Sequence, residues 1–159
     1  MAGVVLHRAE ILKPFQVAQG KLKGDNVIAF EKDFAMLLYT SRGKFLWELR
    51  EGYISNCGSI PWIAQKIIRV KSYDTKNNLQ NAFFVFHDDL YQKKGYLMFD
   101  REDSDALCRG GLREAGNNRF QASIIDFVLQ LGAKSHWGDN KFGNLEFMSS
   151  LKNVEECRC

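Results

Sequence analysis

The chain has 159 residues, a length that suits one domain with one core. With 45% hydrophobic, 13% aromatic and 26% charged residues it is neither disordered nor collagen-like, and its 12 phenylalanines point to an aromatic core. A net charge of +3 is too mild to imply nucleic acid or an anionic membrane, and neither a membrane-length apolar run nor a signal peptide stands out.

Residues 1–55 favour strands. Val4-Val5-Leu6, Phe15-Gln16-Val17, Val27-Ile28-Ala29-Phe30, Met36-Leu37-Leu38-Tyr39 and Phe45-Leu46-Trp47-Glu48-Leu49 are short apolar or alternating runs. Gly20, Gly24-Asp25-Asn26 and Ser41-Arg42-Gly43-Lys44 separate them, so the spacing predicts a meander of four or five antiparallel strands. From Ser59 the apolar period changes to about 3.6. Ser59 can cap a helix over 60–69, with Pro61 in its first turn. Ser72–Asn81 is polar and reads as a loop. Ala82–Gln92 is apolar on nearly every side at its start, as a buried central helix is. After a turn at Gly95, a helix is predicted over Asp103–Ala115 despite Gly110-Gly111, and a last one over Arg119–Leu131. The tail, 133–159, is polar, with Trp137, Phe142 and Phe147 as candidate anchors. The fold class this predicts is α+β, a single domain with an N-terminal antiparallel meander (1–55) packed on about four C-terminal helices (59–132). The four cysteines read as reduced thiols, since Cys57 and Cys108 stand alone and Cys157 and Cys159 end the tail.

Four side chains could carry chemistry. His87 and Tyr91 lie one turn apart on the Ala82–Gln92 helix and share a face with Phe83, so His87 points inward. Asp105, Cys108 and Leu112 recur at i, i+3 and i+7, which puts the Asp105 carboxylate on the apolar stripe of the later helix. Neither group is cheap to bury alone, and a hydrogen bond across the helix pair satisfies both. Asp105 then fixes the imidazole tautomer and leaves the other nitrogen as a base. Asp88 projects about 100° from His87 and can flank the same pocket. The plainer alternative makes His87 a satisfied core histidine and Asp88-Asp89 a solvated face. The segment Gly52–Trp62 could bring its backbone to an anion or offer carbonyls to a cation, or be an ordinary strand-to-helix cap.

Three motifs in order, GYISNCGSIP (52–61), HDDLY (87–91) and REDSDALC (101–108), resemble an uncharacterised family of phage and prophage proteins, over roughly 45–135. Asn56 stands where that family often has aspartate, and Cys108 where it has a large apolar residue. The resemblance implies a phage or prophage origin and a place in the virion or the host cytoplasm. The expected partners are other virion proteins or bacterial envelope components, without nucleic acid, and self-association is left open. More distantly, the site is similar to that of secreted phospholipases A2. That similarity implies His87 as the group activating water, and Tyr91 and Asp105 as its orienting partners. It also implies Asp88 as a candidate calcium ligand beside the backbone of Cys57 and Gly58; no cofactor is required by the sequence, and calcium is the one candidate. The glycine-rich calcium loop and the disulfides of those enzymes are missing. The first functional reading is a virion- or tail-associated structural or adaptor component carrying the His-Asp-Tyr cluster. The alternative is a hydrolase of phospholipid or bacterial cell wall with His87 as general base.

Overall fold

Pro14 makes the first division of the chain: it has no N–H to give a sheet, and it stands between β1 (Leu6–Lys13) and β2 (Val17–Leu22). β2 pairs with β3 (Asp25–Phe30) through Lys23-Gly24, whose φ angles of 51° and 84° are those of a tight two-residue hairpin turn. β4 (Phe34–Thr40), β5 (Gly43–Leu49) and the short β6 (Ile54–Ser55) follow, and β7 (Ser149–Asn153) comes from the C-terminal region. These elements belong to a computed structural model that describes residues 3–55, 75–93, 96, 98–116, 118–123 and 146–155.

The expected single meander is instead two antiparallel sheets, ordered β1-β4-β5-β7 and β2-β3-β6. Burial decides the order. β4 is buried along most of its length and takes a central place, whereas β1 is largely exposed and forms an edge. The tail was expected to be polar and anchored by aromatics, yet Ser149–Asn153 closes the other edge, with Leu151 buried opposite Trp47 and Phe147 63% exposed. Trp137 and Phe142 lie outside the described residues.

α1 (Thr75–Lys93) and α2 (Arg101–Glu114) follow the strands, and a further helical segment begins at 119–123. The expected α+β character is therefore present, with three helices among the described residues; the helix expected over 60–69 and the Gly95 turn lie outside them. Part of the expected 72–81 loop is helix, since α1 starts at Thr75. Leu79 packs on the core and Gln80 is buried, so tertiary contact overrides weak local propensity there. Ala82 to Phe86 are all buried, as an all-apolar helix start requires.

One hydrophobic cluster draws on both sheets and both long helices. Its spine is aromatic. Phe15 packs on Phe30 (5.2 Å between centroids) and Phe34 (5.6 Å), Phe34 on Trp47 (5.4 Å), and Trp47 on Phe86 of α1 (4.9 Å). No helix among the described residues is long and apolar enough to cross a membrane.

α2 is placed by its first turn. Asp100 is the cap, its side chain accepting the Asp103 N–H (2.8 Å), while Asp103 accepts the Asp100 N–H (3.1 Å). Asp103 also takes a two-pronged hydrogen bond from Arg42 in the β4–β5 turn, at 2.7 and 3.1 Å. Burial pushes the Asp103 carboxyl up, but the Arg42 and backbone hydrogen bonds outweigh it and hold the group below its usual range.

Candidate functional site

α1 carries three consecutive polar side chains, and a helix turns them about 100° apart. Because α1 packs on both α2 and the sheets, each meets a different element. His87 faces α2, with Nε2 2.7 Å from Asp105 Oδ1. The Tyr91 hydroxyl donates to the same oxygen at 2.8 Å, and the His87 and Tyr91 rings lie 4.4 Å apart at 34°. His87 and Asp105 are buried, at 1% and 6% exposure. The structure thus brings together His87, Tyr91 and Asp105, the three residues expected at a catalytic centre. An Asp105 carboxylate accepting from Nε2–H fixes the tautomer with Nδ1 as the unprotonated nitrogen. Burial and the Asp105 hydrogen bond raise the Tyr91 hydroxyl far above its usual range, so it stays a donor.

One glycine lets the helices meet closely enough for that bond, and a second lets β1 approach α2. Gly111 lies against the ring of Phe83, where a Cβ would come within 2.1 Å of Cγ, and Gly110 lies against Leu6. These are the residues that look, from sequence, like weak points in α2. Cys108 beside them is a buried reduced thiol, as expected.

Asp88 faces β6. Its Oδ2 accepts from Ser55 Oγ at 2.8 Å and from Gln92 Nε2 at 3.1 Å. Cys57 and Gly58, whose backbone was expected to complete a calcium site, lie outside the described residues. Among the described residues no group of three or more His, Cys, Asp or Glu could hold a metal, and this corner supplies one carboxylate. Burial pushes the Asp88 carboxyl up from 3.8 to about 6, against the hydrogen bond from Ser55. Between those values the native state binds more protons than the unfolded chain, so this group's contribution to stability is present below pH 3.8 and is lost as pH rises to about 6. The loss is expected to reach about 3 kcal/mol. Urea unfolding at pH 4, 5, 6 and 7 is expected to show this fall in the native protein and a flatter profile in Asp88→Asn; identical profiles would remove Asp88 as its source.

Asp89 is fully buried, which corrects the reading of Asp88-Asp89 as a solvated face. It faces the sheets and accepts from Trp47 Nε1 (2.9 Å), the Tyr53 hydroxyl (2.7 Å) and the Tyr96 hydroxyl; the last lies 2.6 Å from Ser149 Oγ. Tyr96 reaches it from a left-handed backbone conformation, φ 57°. Burial raises the Asp89 carboxyl while these donors oppose the shift, and burial beside Asp89 raises the Tyr53 and Tyr96 hydroxyls. Sequence reasoning missed this cluster although the signal was there: a helix whose start is apolar on nearly every side leaves little solvated face for Asp89 to occupy. Compared with protein-family models, curated proteins and solved structures, the chain matches none.

Proposed function

We propose that the chain is a small phage or prophage protein whose His87–Asp105–Tyr91 cluster is a hydrolytic centre acting on phospholipid or bacterial cell wall. The observation that supports this most is the 2.7 Å contact of His87 Nε2 with Asp105, which leaves Nδ1 as the base. In this reading Nδ1 takes a proton from the attacking water, and Asp105 balances the imidazolium that results. Tyr91 pins the Asp105 oxygen, so that the imidazole does not reorient between turnovers. Calcium, if held by Asp88 and the backbone of Cys57 and Gly58, would supply positive charge for the developing oxyanion. The phage assignment rests on the order of the three motifs.

A second reading is a virion- or tail-associated adaptor in which the cluster only locks the helices. It is favoured by the 1% exposure of His87 and by the way His87, Asp88 and Asp89 tie α1 to three different elements. His87→Asn separates the two, since it keeps polarity and approximate size but loses the base. With phospholipid vesicles or peptidoglycan as substrate, the hydrolytic reading expects native turnover, about a hundredfold loss in the variant and little change in melting temperature. No turnover in either form, with a marked drop in melting temperature for the variant, would establish the locking role.

A further inference from the structure

α2 has a second stripe beside the one that holds Asp105. Ala106, Arg109, Gly110 and Arg113 recur at three- and four-residue intervals on it. It is packed on the start of the chain, where a Cβ on Gly110 would sit 3.0 Å from Leu6 Cβ, so the glycine lets β1 lie close. Next to this contact is a cavity of about 380 Å³, with Val4 and Leu6 on one side and Arg109, Arg113, Arg119 and Ser123 around it. That is the size of a small-molecule site. The described lining residues include three arginines and no acid.

The arginines are set there by the backbone. Arg109 and Arg113 are one turn apart, a spacing at which like charges repel. Arg119 is brought up by the turn after α2, where the Asn118 N–H donates to Gln121 Oε1 (3.0 Å) and the Gln121 N–H to Asn118 Oδ1 (2.8 Å), a reciprocal cap that starts the next helical segment. Three guanidinium groups lining one cavity favour an anion in it. A guanidinium presents paired N–H donors that match phosphate oxygens two at a time. We propose that this cavity binds a phosphate group, carried by a small molecule or by a lipid head. Arg109 and Arg113 have interactions of their own within the protein, and five N–H donors on each guanidinium allow both uses. Ser123 adds a hydroxyl at the rim. The site lies on a different stripe of α2 from Asp105 and does not depend on how His87 is read.

Titration calorimetry of the full chain at low ionic strength with inorganic phosphate and with glycerol 3-phosphate tests the small-molecule source. Flotation with phosphatidylglycerol against phosphatidylcholine vesicles tests the lipid source. The expected result is saturable binding of at least one probe, weakened by added salt and about tenfold weaker in Arg113→Gln and in Arg119→Gln. Both arginines are exposed, so the variants should melt like the native chain. Binding of either soluble phosphate identifies a small-molecule site, and binding of phosphatidylglycerol vesicles alone identifies a lipid head. No binding of any probe, or binding that both variants retain in full, overturns the proposal.

Discussion

Asp89→Ala is expected to cost about 5 kcal/mol, a large share of the stability of an ordinary domain. The substitution leaves two buried donors, Trp47 Nε1 and the Tyr53 hydroxyl, aimed at an apolar gap, while the half-buried Tyr96 hydroxyl keeps Ser149 Oγ as an acceptor. Each unsatisfied buried group costs about 1–3 kcal/mol. The sum is moderated because an isolated carboxylate no longer has to be kept from water, a cost visible in its raised titration. For a chain of this length, 5 kcal/mol corresponds to a fall in melting temperature of roughly 10–20 °C. Asp89→Asn keeps one acceptor oxygen and is expected to lose less than half as much, and Tyr53→Phe, which removes one donor only, about 1 kcal/mol. Thermal and urea unfolding of the three variants give the order directly. If Asp89→Ala lost less than about 1 kcal/mol, the carboxylate would not be the anchor between α1 and the sheets. The sign with pH is fixed as well. With its carboxyl raised in the native state, the Asp89 contribution is present below the pKa of the unfolded chain and is lost as pH rises through the native one.

What could be read from the sequence was what depends on neighbours along the chain. His87, Tyr91 and Asp105 were placed by spacings of three, four and seven on two helices, and those spacings hold whatever packs around them. The bond between them then followed from the cost of burying either group alone. The Trp47–Asp89 and Tyr53–Asp89 bonds join residues 42 and 36 positions apart, and Arg42–Asp103 spans 61, so no local period announces them. β7 was hidden for a related reason. Ser-Ser-Leu-Lys-Asn carries one buried apolar residue, and it becomes a strand because β5 offers an open edge to it. The division into two sheets was equally out of reach, since alternation marks strands without naming their partners.

Gly111→Ala is expected to destabilise the fold by about 3 kcal/mol and to disturb the His87–Asp105 contact at the same time. In an exposed helix the same change stabilises by about 1 kcal/mol, because alanine loses less backbone freedom on folding. Here the new Cβ would lie 2.1 to 2.4 Å from three ring atoms of Phe83, closer than atoms can pack. Phe83 cannot give way, as it is fully buried and its ring packs edge-on against Phe86, 6.1 Å away. The helices must therefore separate, and overpacking of this kind costs more than the propensity gain returns. Separation acts on the bond that spans the same interface, so any activity that depends on His87 is expected to fall with stability. Gly110→Ala is the control: the nearest atom to its Cβ is Leu6 Cβ at 3.0 Å, and the strain and the gain in propensity are expected to cancel to within about 1 kcal/mol. Adding Phe83→Leu to Gly111→Ala removes the ring atoms that clash. The double variant is then expected to be more stable than the sum of the two single losses predicts, by at least about 1 kcal/mol. Strict additivity in urea unfolding would show that Gly111 and Phe83 are not coupled and that some other contact sets the distance between α1 and α2.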